Sequence, residues 1–261
     1  MIRPIYNDLF KLSRYLPNQL GVVVKFYGSK PEFCLISNAA KPEFTIHLED
    51  MVLKIAKVKV NLSIIYSHAE SLKKTNAKYH FVKTECKMLS LPAGEISMCW
   101  DNVFQSHSPR KFVVAFVNFY SVGGQFPTNP FNFQGYDLKH ITVFVDGHPV
   151  GGNPIKMNFD DSGGQSVTDA LLSLYQVTNK WMNDACSQIS RDDIAKGGYV
   201  LYAFDVEPAF AQGDYLTLSR QGNIRLEASF GKPLPHPVTY IVYSEDSGYF
   251  EIHLARDIIL E

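Results

Sequence analysis

Short runs in which apolar and polar residues alternate recur from one end of this chain to the other, and turn-forming residues separate them. Residues 44–48 show the two-residue period that a strand with one buried face requires, and residues 79–89 are also predicted to form a strand. Residues 111–120 are almost continuously apolar, which is typical of a strand buried on both faces. Asp146-Gly147 is a strong two-residue hairpin signal. The pattern therefore predicts an antiparallel β-protein.

About a dozen short strands are predicted in this way. They cover residues 20–26, 33–36, 44–48, 51–60, 79–89, 95–100, 111–120, 140–145, 199–206, 215–218, 223–230, 238–243 and 250–254. The apolar phase of the run at 51–60 shifts by one residue at Ala56-Lys57, which predicts a β-bulge.

Three helices are predicted between the strands, and none of them makes the chain an alternating α/β sequence. Apolar spacing predicts the first over residues 62–74, and capping residues predict starts at Ser166 and Ser190. Because no βαβ alternation is present, we predict an all-β fold with a few helices in insertions. The architecture expected is an antiparallel β-sandwich of the jelly-roll type.

The length of the chain suits one such domain over residues 1–261, since single sandwiches reach roughly 250 residues. Two connections, residues 121–137 and 146–198, are too long for plain hairpins and are predicted to be inserted loops. Long loops of this kind are usually functional or interacting segments, so these two are where contacts with partners are expected.

Composition excludes several classes of function. Hydrophobic residues make up 46% of the chain and charged residues 20%, so a core can form and disorder is disfavoured. The 25 basic and 26 acidic side chains give a net charge of −1, which argues against direct sequence-specific nucleic-acid binding. No apolar run has the length of a membrane span, and Met1-Ile-Arg-Pro4 does not resemble a signal peptide. We therefore expect a soluble, intracellular protein.

Residues that could carry chemistry are present but are not organised for it. The sequence has no nucleophile elbow, phosphate-binding loop or zinc-protease motif, and no two of its eight histidines lie within four residues of each other. Asp160-Asp161 offers too few oxygens for a calcium site and is explained by the helix that follows. The four cysteines are unpaired in sequence and are predicted to be buried free thiols. We predict no enzymatic activity, no catalytic residues, no metal and no cofactor.

Several segments, in order along the chain, share motifs with one family. Thr128-Asn-Pro-Phe-Asn-Phe133 precedes Tyr136, in the pattern N-P-F-N-F-x-x-Y. Ser190-Arg-Asp-Asp193 precedes a block that runs from Gly198 to Pro208, and shorter matches lie at residues 7–10, 20–22, 33–35, 222–227, 233–235 and 241–245. The ordered set resembles the hexon-type, double jelly-roll major capsid proteins of Polinton (Maverick) elements and adintoviruses.

The resemblance implies a structural subunit that forms a homotrimer and joins other capsid proteins in the icosahedral shell of a double-stranded DNA virus or virus-like transposon. It implies a virion that is assembled in the cytoplasm or nucleus of the host cell. Members of this family usually carry a further jelly roll ahead of the matched region, so the chain looks like their second jelly roll. Residues that match the family motifs are expected to have structural roles: Asn129, Pro130, Asn132, Tyr199, Phe204, Asp205 and Arg225.

The aromatic residues of the long loops are the candidates for subunit contacts: Phe126, Phe131, Phe133, Tyr136 and Trp181. The three phenylalanines are flanked by prolines and are predicted to form either an exposed apolar patch that binds a partner or a cover over an open sheet edge.

Two other functions stay open at this point. The chain could be a host-domesticated, capsid-derived jelly roll that acts as a binding module or interferes with capsid assembly. It could also be a cupin-like or lectin-like sandwich, which requires histidines or carboxylates clustered in the mouth of a barrel.

Overall fold

A computed structural model describes residues 4–12, 14–39, 43–105, 107–150, 154–159, 165–178, 180, 188–206 and 221–260. The chain divides into two compact units. The first contains Met1–Gly28, Phe44–Lys83 and Ser247–Glu261, and the second contains Ser29–Glu43 and Thr84–Asp246.

The described residues form ten strands and five α-helices. The strands are β1 (Ala77–Leu91), β2 (Ser97–Trp100), β3 (Lys111–Asn118), β4 (Leu138–Val145), β5 (His148–Pro149), β6 (Ile155–Lys156), β7 (Leu201–Asp205), β8 (Ile224–Phe230), β9 (Val238–Ile252) and β10 (Ile258–Leu260). The helices are α1 (Pro31–Cys34), α2 (Leu62–Lys74), α3 (Phe119–Val122), α4 (Thr168–Val177) and α5 (Arg191–Ala195), with 3₁₀ turns at Asp8–Phe10 and Gln165–Val167.

The strands form two five-stranded sheets. One has the order β1-β9-β3-β7 with β10 also beside β9, and the other has the order β2-β8-β4-β5 with β6 also beside β4. Seven strand pairs are antiparallel: β3 with β7 and with β9, β8 with β2 and with β4, β4 with β5 and with β6, and β9 with β10.

This order is that of a jelly roll. The first strand lies beside β9, the second beside β8, the third beside β7, and the fourth beside the short pair β5 and β6. Such nesting arises when one long hairpin is rolled up so that successive strands alternate between two sheets. The predicted all-β, antiparallel jelly-roll sandwich is therefore confirmed by strand order alone.

The core of the second unit is filled by the inward faces of both sheets. Along β8, buried and more exposed residues alternate from Ile224 to Phe230, as the two-residue period of a strand requires. β3 is buried on both faces over Val114–Val117. Helix α4 packs against β7, the neighbour of β3 in the sheet, with Ala170 and Leu174 buried. The continuous apolar run predicted for β3 is thus explained, because neither of its faces meets water.

The first unit has a small core of its own. Tyr79, Phe250 and Ile252 are buried together, with Phe81 and Leu16 packed against them. The Tyr79 and Phe250 rings stack 5.2 Å apart between centroids. Glu251 accepts hydrogen bonds from the side chains of Lys78 and Asn76, which hold the pKa of its carboxyl below the usual value.

Most predicted turns and helix starts are confirmed. Asp146 and Gly147 have φ angles of 51° and 82°, the left-handed conformation that a two-residue hairpin turn requires. Ser190 and Asp193 form a capping box at α5, and hydrogen bonds from Ser190 lower the pKa of the Asp193 carboxyl. Helix α2 has the predicted bounds. The helix expected from Ser166 begins two residues later, at Thr168, because Ser166 lies in a 3₁₀ turn.

The predicted strands at residues 20–26, 44–48 and 51–60 are wrong, and so is the bulge at Ala56-Lys57. These residues are mostly exposed and are neither helix nor strand, because alternation yields a strand only where a partner strand supplies hydrogen bonds. Residues 33–36 also do not form a strand, since helix α1 ends at Cys34. The strands predicted at 238–243 and 250–254 are one continuous strand, β9. The strand predicted at 215–218 lies outside the described residues.

The prediction of buried cysteines is also wrong for the described part of the chain. Cys34, Cys86 and Cys99 are free, as expected, but they are exposed. Cys86 and Cys99 occupy outward-facing positions of β1 and β2, where the alternation of the strand places every second side chain. Cys186 lies outside the described residues. Over the ranges that the structure describes, no helix is both long and apolar enough to cross a bilayer.

Candidate subunit-contact surface

The connection between β3 and β4, residues 119–137, begins with a capped helical turn. The Asn118 side-chain oxygen accepts a hydrogen bond from the backbone N–H of Tyr120 (2.9 Å), which satisfies a donor at the start of α3. Gly124 follows with a φ of 83°, and a Cβ there would lie 2.6 Å from the backbone nitrogen of Phe33. Only glycine fits at this position, so the loop approaches the segment around α1 closely.

The motif residues Asn129 and Pro130 shape the next turn. The Asn129 side-chain oxygen accepts a hydrogen bond from Phe131 N–H (2.9 Å), and its backbone carbonyl accepts one from Asn132 N–H (3.2 Å). Asparagine favours such turns because its side chain imitates a backbone acceptor. Pro130 is buried. The two residues therefore fix the direction in which the following aromatic residues leave the turn.

The loop then attaches to the segment that leads into β7. Phe133 donates to the carbonyl of Gly198 (2.7 Å) and accepts from Val200 N–H (3.1 Å). Gly198 has a φ of 76°, and a Cβ there would lie 2.0 Å from the side-chain oxygen of Asn132. The loop thus supplies hydrogen bonds to the backbone groups of Gly198 and Val200, just ahead of β7. β7 is the last strand in its sheet order, so these bonds lie at an edge of the sheet.

Four aromatic residues form what we call the aromatic loop surface: Phe33, Phe131, Phe133 and Tyr199. Phe131 is 59% exposed, and its ring meets those of Phe33 and Phe133 edge to face, with centroids 5.6 and 6.5 Å apart. Tyr199 is 51% exposed, and its backbone forms an isolated parallel β-bridge with that of Phe133. Phe133 itself is half-buried. The loop thus combines a cover over the strand end with an exposed aromatic tip.

The other predicted contact residues lie elsewhere. Phe126 is half-buried, and its carbonyl accepts a hydrogen bond from Ser37 N–H (2.7 Å). Tyr136 is half-buried against the core and its ring meets that of His236 edge to face at 5.4 Å. Burial raises the pKa of the Tyr136 phenol to about 12. Trp181 lies outside the described residues.

The remaining motif residues are in the sheets. Phe204 is buried on β7 and stacks on Phe112 at 5.3 Å. The Asp205 carboxylate lies 4.0 Å from Lys111 Nζ on the neighbouring strand β3. Arg225, on β8, contacts the Glu227 carboxylate and lies 3.5 Å from an oxygen of Asp101. These three residues thus take part in core packing and ion pairs within the sheets, and they do not belong to the aromatic loop surface.

A polar depression of about 340 Å³ lies beside the loop, lined by Asn118, Ser121, Asn129, Asn132, Gln134 and His236 among others. Two of its asparagine side-chain oxygens, those of Asn118 and Asn129, each accept a hydrogen bond from a backbone N–H. His236 Nδ1 lies 3.0 Å from the carbonyl oxygen of Pro237. These groups stabilise the turns around the depression, and they do not form an acid–base pair.

Aromatic side chains occupy much of the described interior of the sandwich. Phe104, Phe112, Phe116, Tyr202 and Tyr240 are fully or almost fully buried within one cluster. Burial raises the pKa of the Tyr202 and Tyr240 phenols, so both stay neutral. In the ranges that the structure describes, no three His, Cys, Asp or Glu side chains are grouped as a metal site would need. A filled interior counts against the cupin-like or lectin-like alternative.

Two features of the surface were missed by sequence reasoning. Phe33 was assigned to a strand, but it lies in α1 and supports Phe131. Pro31 followed by Glu32 is a signal for a helix start and could have identified this turn. The pairing of Phe133 with the segment ahead of β7 joins residues far apart in sequence, and no local signal predicts it.

Comparison with known proteins adds a sequence relative and several structures. No protein-family model matches the chain. The chain is similar to "Uncharacterized protein F54H12.2" of Caenorhabditis elegans, with 21% identity over an alignment of 258 residues. The match covers 97% of this chain and 61% of that relative. The chain thus spans about three fifths of the length of the curated relative that it matches.

The solved structures similar to this chain include viral capsid proteins. The mavirus major capsid protein gives a TM-score of 0.35 at 11% identity and covers 71% of this chain and 41% of its own. PBCV-1 VP54, fitted into a reconstruction of the virophage Sputnik, gives 0.43 at 10% identity and covers 77% and 54%. The Sputnik virophage structure gives 0.34 at 14% identity and covers 71% and 39%. The jelly-roll assignment rests on strand order and not on these scores.

Proposed function

We propose that this chain is a structural capsid protein, a jelly-roll subunit of the shell of a double-stranded DNA virus or virus-like transposon. Within that class it resembles the hexon-type major capsid proteins of Polinton (Maverick) elements and adintoviruses. It acts without catalysis or cofactor, does not bind nucleic acid in a sequence-specific way, and forms a homotrimer that joins other capsid proteins in a virion assembled inside the host cell. Residues 1–261 act as one jelly-roll domain with inserted loops.

One observation carries this proposal. The segment that resembles the capsid signature, residues 128–136, lies in the connection between β3 and β4. Its Asn129 and Pro130 build the turn that presents Phe131 to solvent. A signature with this role favours a contact between subunits, because an exposed aromatic residue held in a rigid turn loses little side-chain freedom when it binds.

The aromatic loop surface is the proposed contact between subunits, with Phe131 and Tyr199 as its anchors. Both are more than half exposed, and both are supported by half-buried aromatic neighbours or backbone hydrogen bonds. Aromatic residues dominate the binding energy of protein interfaces, whereas scattered exposed aliphatic residues contribute little. Phe126, Tyr136 and Trp181 keep their place as proposed contributors from the long loops.

Incorporation into shells tests the proposal. The chain, carrying an affinity tag, is co-expressed with the cognate full-length capsid protein, and particles are purified by density and examined for the tag. We expect Phe131→Ser to lower incorporation strongly. The matched control is Ile96→Ser, because Ile96 is 56% exposed but lies between β1 and β2, outside the aromatic loop surface. Failure of the unchanged chain to enter particles would contradict the proposal. Exclusion from particles together with a lower particle yield would favour the interfering binding module instead.

A further inference from the structure

The polar depression beside the connection between β3 and β4 is lined by uncharged side chains. Nine described residues of the second unit line it, and none of these nine is a lysine, an arginine, an aspartate or a glutamate. Six of the nine carry an amide or a hydroxyl group. The volume of about 340 Å³ lies at the small end of the range of ligand sites, about 300–1,000 Å³. The depression therefore has the size and the polarity for a small, uncharged ligand.

The backbone holds two of the amide groups in place. Asn118 Oδ1 accepts a hydrogen bond from Tyr120 N–H, and Asn129 Oδ1 accepts one from Phe131 N–H, each at 2.9 Å. Because the main chain holds each oxygen, the plane of each amide is set, while its Nδ2 group keeps two donors. Neither Nδ2 group has a hydrogen-bond partner among the described residues. A ligand that binds these donors therefore loses little affinity to the ordering of side chains.

A serine hydroxyl is the third group. Ser121 is 3% exposed and lines the depression. Its backbone carbonyl accepts a hydrogen bond from Gly124 N–H (3.0 Å), but no residue in the described ranges hydrogen-bonds to its hydroxyl. A buried polar group without a partner costs free energy, so a ligand that binds this hydroxyl offsets that cost.

The chemistry of the lining favours a ligand that both donates and accepts hydrogen bonds. Amide N–H groups only donate, whereas the hydroxyl of Thr128, which donates to the carbonyl of Gln125 (3.3 Å), keeps lone pairs that accept. Each hydroxyl of a sugar is a donor and an acceptor, so a sugar matches such a mixed set. An anion would meet no lysine or arginine among the described lining residues.

We propose that this depression binds one neutral sugar ring of a glycan. The amide donors of Asn118 and Asn129 and the hydroxyl of Ser121 are the groups that hold it. These residues belong to a single unit of one chain, so the binding is independent of the shell role and is measured on the isolated chain.

Asparagine-to-serine exchange tests the site and keeps the turns. Asn118→Ser and Asn129→Ser retain an oxygen that accepts from the backbone, because serine replaces asparagine well in caps and turns, but they remove the amide donors. Asn7→Ser is the matched control, because Asn7 Oδ1 accepts from Leu9 N–H in the same way (3.0 Å) and lies in the first unit. Saturation-transfer NMR titrations of the full chain use glucose, galactose, mannose and N-acetylglucosamine as probes, with inorganic phosphate and trialanine in parallel.

At least one of the four sugars is expected to bind. N118S and N129S are each expected to weaken binding about tenfold, at the upper end for the loss of one hydrogen bond, whereas N7S binds as the unchanged chain does. Binding of no sugar overturns the proposal, and binding of phosphate or trialanine without any sugar overturns the class of ligand. Equal binding by all three variants overturns the site.

A measurement on the unchanged chain guards against a variant that fails to fold. The side-chain amide signals of Asn118 and Asn129 in nitrogen-15 correlation spectra are expected to shift as the sugar is added, while that of Asn7 stays in place. Signals of the two lining residues that do not move while the sugar binds overturn the site.

Discussion

Phe116 joins the two sheets of the sandwich, so its removal tests the packing on which the jelly roll depends. The side chain is fully buried on β3. Its ring lies 4.9 Å from that of Tyr240 and 6.1 Å from that of Tyr202 in the same sheet. In the facing sheet, Phe230 lies 5.4 Å away. One ring therefore holds aromatic contacts on both sides of the core.

Phe116→Ala is expected to lower the free energy of unfolding by about 3–5 kcal/mol, the usual cost of removing a buried phenylalanine ring. Three aromatic contacts, each worth about 0.5–1.5 kcal/mol, place the loss towards the upper end. Phe116→Leu keeps most of the apolar volume and is expected to lose roughly half as much.

The assay is urea unfolding followed by the fluorescence of Trp100, whose ring lies 5.9 Å from that of Tyr240. Trp181→Phe as background removes the second of the two tryptophans. The midpoint is expected to fall while the slope stays constant, since the slope reports the surface exposed on unfolding. A loss below about 1 kcal/mol, the level of an ordinary surface substitution, would refute this account of the core.

Three further predictions concern the loop, a cap and pH. Gly198→Ala is expected to cost about 1–3 kcal/mol, because the left-handed backbone and the clash with Asn132 both oppose a side chain; Gly123→Ala, with open space around it, is the control in the same unfolding assay. Ser190→Ala removes the cap of α5, and hydrogen exchange of residues 191–195 is expected to accelerate, whereas unchanged rates would contradict the capping role. The raised pKa of the Tyr136 phenol means that its contribution to stability is complete below about pH 10 and is lost as the pH rises to about 12. When the free energy of unfolding is measured against pH, Tyr136→Phe is expected to lack this part of the loss. A curve identical to that of the unchanged chain would contradict the prediction.

Much of the sandwich could be predicted because its signals are local. Asp146 and Gly147 form the turn that their sequence predicts, and the apolar run at residues 111–120 matches the burial of β3 on both faces. The break expected between residues 243 and 250 is absent, because β9 continues through them as one strand. The missing side chain of Gly248 leaves room for the Phe81 ring, which a Cβ would approach to 3.2 Å. A glycine in a strand can thus mark a close contact and not a turn.

The rest could not be predicted because it depends on partners far away in sequence. Residues 46–58 have the pattern of a strand, but no sequence window shows whether a second strand is present to complete the ladder. The exposed position of Phe131 likewise depends on Phe33 and on the attachment of Phe133 near β7, and none of these contacts leaves a local trace. The loop was expected to form either an exposed apolar patch or a cover over an edge; Phe131 is exposed, whereas Phe133 is hydrogen-bonded to the segment ahead of β7.

The mass of the chain in solution tests the proposed subunit role most directly. Size-exclusion chromatography with light scattering is predicted to give the mass of three chains of 29.5 kDa each. Phe131→Ser is predicted to shift that mass towards one chain, whereas Ile96→Ser leaves it unchanged. A strictly monomeric protein at every concentration would contradict the claim that this jelly roll is built to assemble.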